Sequence, residues 1–484
     1  MVVGELAHER DVIIIGGGPG GYNAAIRAAQ LGLSITLIEK EELGGVCLNK
    51  GCIPSKVFAH AAQKMADIHH IDELGIELTA SSFQLGKLQN YKAKVTAQLR
   101  QGVEALCKAN KIELIKGRAS FLAEDRIGIE AGEAFDVYQF RYAVIATGAT
   151  LIPPTWIEID HGRILNVYSI YGLETLPSHL LVYGNDYIAL EVATSFRAFG
   201  SDVSLILEDG NEHFGFDSSI GRELQRILKK MKIKVYQKHR VKNVASSLDT
   251  VAVTLKTLEG EAVTVEGSHL FVSCNMKANI DELGIDRLSM KRTEQGFIDV
   301  NHKAQTSIPH IFAVGDVTGG PMLAVKAIKQ GKVAAETIAG EESEVDVTFL
   351  PTIVHSLPPI ASVGLTEEEA REQYNDIRIG HFPLAGNGYA GIIGQKDGLI
   401  KVISEAKSEV ILGVHMIGAG AIELISSGII GLETVVREED FKFPFYPHPS
   451  CNEGLLEATE ALQAEAIHLS PTKQRKSEKE AVSR

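Results

Sequence analysis

A supersecondary unit written twice constrains this chain more than any other feature. Asp11 to Lys40 reads as a strand (DVIIIG), a glycine turn (GGGPGG), a helix from Tyr22 to Gly32 and a second strand from Ser34 to Glu39. Residues 180–208 follow the same plan as LLVYG, NDYIALEVATSFRAFG and SDVSLILE. Apolar runs of strand length that break at glycine and pass into a helical period are the pattern of βαβ units on a parallel sheet. Two copies predict two nucleotide-type folds in one chain. At 484 residues the chain is too long for one ordinary core, which agrees with that division.

The first glycine loop is complete. Gly16, Gly18 and Gly21 fit G-x-G-x-x-G after a strand and before a helix, and Glu39 ends the next strand 23 residues after Gly16. In such a loop the first glycine makes the turn, the second lets backbone approach a pyrophosphate, and the third lets helix and strand pack closely. Helix N-terminal amides meet the phosphates, and the acid binds ribose hydroxyls. The bland alternative is a glycine-rich turn without a ligand; strand, helix and acid together weigh against it.

Further along, Tyr142–Gly148 (YAVIATG) and His310–Val317 (HIFAVGDV) are strands running into glycine turns, the second ahead of a helix over 324–339. Residues 57–110 are largely helical in pattern. After Glu344 the composition changes to an α+β mixture, with alternating segments such as LIKVISEA and VILGVHMIG and a helix over 422–436. Residues 470–484 are polar and charged without apolar periodicity, which predicts disorder.

A formal net charge of -14 argues against sequence-independent binding to nucleic acid or to an anionic membrane. No apolar run approaches a membrane span, and MVVGELAHER lacks the basic-then-apolar order of a secretory signal. Five cysteines in so long a chain are no secreted disulfide framework. A reducing cytoplasm is the expected compartment, and any disulfide formed there is expected to do chemistry.

The segment Gly44-Gly-Val-Cys-Leu-Asn-Lys-Gly-Cys-Ile-Pro-Ser-Lys56 is the most informative. Cys47 and Cys52 have no further ligands nearby to complete a zinc site, so no metal is expected. Placed on adjacent helical turns they can close a small redox loop, with Gly51 easing the backbone, while a helix N-terminus and lysines stabilise a thiolate. Two buried small hydrophobes are the bland alternative, and direct linkage to a nucleotide fold weighs against it.

This segment resembles the redox-active CxxxxC of the pyridine nucleotide–disulfide oxidoreductases, and within them it is most similar to dihydrolipoamide dehydrogenases. The similarity runs over nearly the whole chain: GGGPGGYNAAIRAAQLG, the Ala146-Thr147-Gly148 turn, FAVGDVTGGPMLAVKA, ASVGLTEEEA and HPSCNE, in order. It implies an α/β fold with two Rossmann-like dinucleotide-binding domains and a C-terminal α+β dimerisation domain. The implied divisions are 1–150 for the first part of an FAD domain, 151–279 for an NAD domain and 280–349 for the part completing the FAD domain. An interface domain over 350–468 and a polar tail over 469–484 follow.

By the same resemblance the first loop holds FAD through Gly16, Gly18, Gly21, Glu39, Lys40, Ala119, Thr147 and Gly148. Gly315 and Asp316 complete that site, Asp316 by bonding the ribityl chain, and Met322, Leu323 and Ala324 run past the flavin. Lys56 lies beside the isoalloxazine ring, paired with Glu191. Cys52 is the thiol nearest the flavin and Cys47 the one that exchanges with substrate. Val325 stands where the family often has histidine, at a contact expected to be made by backbone.

Tyr446-Pro-His-Pro-Ser-Cys-Asn-Glu453 matches the family's His-Pro-x-x-x-Glu. A dithiol attacks a disulfide only as thiolate, so a base near neutrality is needed, and imidazole has that pKa. A carboxylate on the other ring nitrogen fixes its tautomer. His448 and Glu453 are therefore the expected acid–base pair, reaching the cysteines of the other subunit of a homodimer. Cys451, beside them, reads as a small buried filler or as a third thiol near the site.

The second loop is expected to take NAD. Gly184 is kept, Ala189 is an accepted third position, and Tyr187, Ile188 and Glu191 match the family's Y-I-[AG]-x-E. Glu208 ends the next strand, and an acid there favours a free ribose hydroxyl, hence NAD over NADP. Two residues depart from the pattern. Asp186 replaces the middle glycine, and two unit charges about 4 Å apart repel by roughly 4 kcal/mol at an effective dielectric near 20, about a thousandfold in affinity. Asn275 stands where a glycine near the nicotinamide is usual.

The leading expectation is an FAD-dependent dihydrolipoamide dehydrogenase that uses NAD+ and serves a lipoyl-bearing acyltransferase of a 2-oxo acid dehydrogenase complex. The alternatives are a reductase for another thiol, such as glutathione or a small protein, and a flavoprotein kept as a complex component with its nicotinamide step lost. A mercuric reductase is disfavoured because the tail lacks a cysteine pair.

Overall fold

Val12, Ile13 and Ile14 have no exposed surface, because the strand they form is buried on both faces of a sheet. In the computed structural model, which describes residues 8–68, 71–78, 82–207, 213–257 and 259–470, the strand His8–Ile15 pairs in parallel with Ile35–Glu39 and Ala134–Ile145. Glu113–Lys116 extends the sheet on one side, and Ile311–Ala313 lies parallel to Ala134–Ile145. Ile13 packs toward Phe121 and Phe297, whereas Val12 and Ile14 pack toward Ala24, Ala25 and Ala334. That alternation is why a continuous apolar run, rather than an alternating one, marks this strand.

The chain leaves this sheet through Ala149–Ile152 and returns through Asn275–Ala278, and these two strands pair antiparallel. Between them lies a five-stranded parallel sheet in the order Lys234–Tyr236, Asp202–Ile206, His179–Tyr183, His269–Val272, Ile164–Leu165. A third sheet, antiparallel and five-stranded, runs from Thr352–Val354 to Ile377–Pro383 and carries the helices Ala421–Glu433 and Glu453–Glu460. Two doubly wound units and an α+β unit are therefore present. Among the described residues no helix is long and apolar enough to cross a membrane. Residues 471–484, most of the expected polar tail, lie outside the described residues.

One buried ion cluster joins the second and third units. Lys401, in the strand Leu399–Glu405, has no exposed surface, and its Nζ lies 2.9 and 2.8 Å from the two carboxylate oxygens of Asp217. Asp217 caps the helix Ser218–Lys230 by accepting from Ser219 N at 2.9 Å, and it accepts from Glu367 N at 3.0 Å. Glu367 Oε2 adds a second carboxylate 2.7 Å from the ammonium. Burial works against the Asp217 charge, but the Lys401 ammonium and the Glu367 amide outweigh it and hold the pKa at about 2, against an ordinary 3.8.

Taking away one partner of such a pair leaves the other charge buried and uncompensated. Lys401→Met is expected to cost about 3–5 kcal/mol in denaturant unfolding of the FAD-loaded protein. Because the folded pKa of Asp217 is depressed, its contribution is present above pH 3.8 and is lost as pH falls toward about 2. The wild type should therefore lose stability across that window more steeply than Lys401→Met.

Candidate active site

The two glycine loops differ at one point, the cap of the helix that follows. At the first loop, Gly16 adopts φ +104°, and a Cβ on Gly21 would stand 1.8 Å from Gly16 O, so both positions exclude other residues. Around Gly18 the nearest atom to such a Cβ is Gly45 Cα at 3.9 Å, which leaves open space over the loop. Gly18 caps the helix Pro19–Gln30 with no side-chain hydrogen bond, so its first-turn amides face that space without an internal acceptor. Glu39 is drawn to the same place: Oε2 accepts from Gly17 N and Oε1 from Glu41 N, each at 2.7 Å.

Asp316 follows the strand Ile311–Ala313, in the short turn Gly315–Thr318. Burial pushes its carboxyl pKa up, partly offset by the Lys326 ammonium, and among the described residues nothing donates a hydrogen bond to its side chain. Open amides at a helix N-terminus, an acid at the loop and a half-buried acid lacking donors fit a ligand with a pyrophosphate and several hydroxyls. FAD is such a ligand.

Thr147 Oγ1 donates to Asn279 O at 2.8 Å, and Gly148 O accepts from Asn279 N at 3.0 Å, where the chain crosses between units. Ala119 is buried in the strand Arg118–Ala123, and Lys40 is exposed and pairs with Glu282 at 3.4 Å. Met322 and Leu323 are half-buried just ahead of the helix that Ala324 opens.

Cys47 and Cys52 lie on two consecutive helices, Gly45–Asn49 and Cys52–Ile68. The break at Lys50 and Gly51 is folded tightly, with both amides donating to Val46 O, at 2.8 and 2.7 Å. It brings the thiols into hydrogen-bond contact and leaves Cys52 at the start of a 17-residue helix. The hydrogen bond from Cys47 and the Lys56 ammonium one turn on push the Cys52 pKa down, and accepting that role as donor pushes Cys47 up.

Lys56 Nζ lies 2.9 Å from both carboxylate oxygens of Glu191. Glu191, only 2% exposed, also accepts from Ser55 Oγ at 2.5 Å and from His355 N at 2.9 Å. Residues of all three units thus meet beside the cysteines. Sequence reasoning missed Ser55 and His355; Ser55 stands inside the quoted CIPSK run, whereas His355 carries no local signal.

His448 Nδ1 lies 2.7 Å from Glu453 Oε1. Glu453, the first residue of the helix Glu453–Glu460, also accepts from Ser450 N at 3.0 Å. Burial opposes the Glu453 charge, but these hydrogen bonds hold its pKa below the ordinary value. The His448 side chain is 81% exposed, and within the chain it makes no hydrogen bond to either cysteine. Cys451 is buried in the core of the third unit beside Leu424 and Leu455, and burial pushes its thiol pKa up.

At the second loop the helix Tyr187–Phe199 is capped by Asp186, whose Oδ1 accepts from Ala189 N at 2.8 Å. Its Oδ2 accepts a very short hydrogen bond from Ser273 Oγ, at the end of the strand His269–Val272. Such a cap stabilises a helix by about 1 kcal/mol. Gly184 turns the loop at φ +148°, Tyr187 and Ile188 pack on the core of the second unit, and Asn275 is exposed at the start of its strand. Glu208 lies outside the described residues. Ser273 was also missed, because only the fold brings it to Asp186.

Residues 10–331 match the family described as pyridine nucleotide-disulphide oxidoreductase, and residues 350–459 match its dimerisation domain. The chain is similar to the dihydrolipoyl dehydrogenase of Geobacillus stearothermophilus, 37% identical over 97% of this chain and 99% of that one. It is 34% identical to that of Halobacterium salinarum, over 97% and 99%. Among solved structures, LpdA from Mycobacterium tuberculosis shares the fold with a TM-score of 0.86 at 24% identity, covering 93% of this chain and 99% of that one. The flavoprotein disulfide reductase RclA from Escherichia coli does so with a TM-score of 0.84 at 24% identity, over 93% and 99%.

If Lys56 holds the thiolate down, Lys56→Met should move the pH midpoint of iodoacetamide alkylation at Cys52 upward in the reduced protein. An unchanged or lower midpoint, read by peptide mass mapping, would contradict the assignment.

Proposed function

The chain belongs to the pyridine nucleotide–disulphide oxidoreductases and is an FAD-dependent disulfide oxidoreductase, and from that premise we propose that it oxidises dihydrolipoyl groups with NAD+ as acceptor. The observation that carries the reading is the Cys47–Cys52 pair, set at a helix start beside the Lys56–Glu191 ion pair and next to the open glycine loop. We assign the partner as the lipoyl-bearing acyltransferase of a 2-oxo acid dehydrogenase complex. A swinging dithiol is a substrate that an exposed histidine on one subunit and a half-buried cysteine on another can meet together.

In the oxidised protein the two cysteines form a disulfide. A substrate thiolate attacks Cys47 Sγ, the sulfur–sulfur bond breaks, and Cys52 leaves as the thiolate that Lys56 and the helix start favour. The second substrate thiol then attacks its own sulfur in the mixed disulfide, closing the lipoyl ring and releasing Cys47. The partner subunit's His448 receives the proton of the first attacking thiol at Nε2, since Nδ1 is committed to Glu453, passes it to Cys47 Sγ as that sulfur is released, and then takes the proton of the second thiol. Substrate has lost two electrons and two protons, and the cysteine pair has gained the electrons. The first loop and Asp316 would hold FAD, which when bound would supply a two-electron relay from the dithiol to a nicotinamide. On this reading Tyr187 and Ile188 line the nicotinamide side and Glu191 holds the Lys56 ammonium in place beside the cysteines.

The test is anaerobic, on the purified yellow protein, with dihydrolipoamide and NADH added separately while flavin absorbance is followed. Bleaching by both reagents is expected. Bleaching by dihydrolipoamide alone would overturn the NAD assignment, and bleaching by NADH alone would overturn the dihydrolipoyl one.

A further inference from the structure

Asp186 enters the second loop as a structural partner, and this changes what its charge does. Its carboxylate stands at the N-terminus of a 13-residue helix, with one oxygen on Ala189 N and the other on Ser273 Oγ. The helix Pro19–Gln30 has no side-chain acceptor at the same point. Oriented amides at a helix start attract one anion well. Here the protein supplies that anion itself, and Ser273 ties it down from the neighbouring strand.

We propose that Asp186 and Ser273 form an internal latch that competes with the dinucleotide pyrophosphate for the start of the helix Tyr187–Phe199, making the pair the determinant of NAD(H) affinity. This inference rests on the reading of the second unit as the NAD site. Packing leaves the latch little freedom. A Cβ on Gly184 would lie 2.7 Å from Ser273 Cβ and 3.2 Å from Ala189 Cβ, so loop, helix and strand end are in close contact around the carboxylate. For a pyrophosphate to reach the amides, Asp186 must rotate away and give up both hydrogen bonds, or the ligand must sit farther out. The constraint is specific to this loop: the FAD-side loop has no counterpart, so flavin loading is independent of it.

The latch makes a prediction that simple charge repulsion does not. Repulsion depends on Asp186 alone, whereas the latch also depends on Ser273, a neutral residue. The experiment measures NADH dissociation constants for the FAD-loaded full-length protein and for Asp186→Asn and Ser273→Ala, with flavin absorbance confirming loading of each. Asp186→Asn keeps a capping side chain and so avoids the loss of the helix cap that Asp186→Gly would bring. Each substitution is expected to tighten NADH by roughly tenfold. Unchanged or weaker binding in Ser273→Ala, with NADH still bound by the wild type, would overturn the latch and leave the NAD reading standing. No NADH binding in any form, with the wild-type flavin still bleached by dihydrolipoamide, would overturn the NAD reading and the latch with it.

Discussion

The buried carboxylate of Glu191 is the interaction on which the rest of the molecule depends. An ionised acid with 2% of its surface exposed costs several kcal/mol unless its charge is matched and its oxygens are satisfied. Here the donors come from separate parts of the chain: Ser55 and Lys56 from the cysteine helix, and His355 N from the start of the third unit. Glu191 itself belongs to the helix Tyr187–Phe199 of the second unit. The carboxylate therefore pins three units at one point, and that point is next to the Cys47–Cys52 pair. Separating the first and second units would strand the charge, and displacing the third would leave one carboxylate oxygen a donor short.

The two dinucleotide units share a plan and differ in how far they are prepared for a ligand. The first presents uncapped amides, open space over Gly18 and a half-buried Asp316 lacking donors, all of which gain from a polyhydroxylated diphosphate. The second already satisfies its helix start from within, through Asp186. Such an arrangement suits a prosthetic group held permanently on one side and a weakly held, exchanging dinucleotide on the other. The Lys401–Asp217 cluster adds a second ion pair, fully buried, that joins the second unit to the third.

Features written within a few residues of one another were legible in the sequence. The glycine loops, the CxxxxC run and the His448–Glu453 spacing each announce themselves because strand, turn and helix signals are local. What escaped were partners set by the fold alone. Ser273 is 87 residues from Asp186, His355 is 164 from Glu191, and Lys401 is 184 from Asp217. Asp186 was legible as a charge in the wrong place; its cap on Ala189 N is local and was overlooked, whereas its tie to Ser273 comes from a distant strand end and leaves no trace in the sequence. The cysteine spacing suited adjacent helical turns; that a tight fold at Gly51 separates those turns into two helices was not legible.

If Glu191 sets the electrostatics of the cysteine pair, its charge must be felt at Cys52, where it opposes the thiolate that Lys56 favours. The direct measurement is the pH dependence of Cys52 alkylation in reduced, FAD-loaded Glu191→Gln, a substitution that keeps the shape of the side chain and removes its charge. The midpoint should fall below that of the wild type, because the Lys56 ammonium then acts on the thiolate unopposed. A midpoint that stays where it was, or rises, would contradict the account.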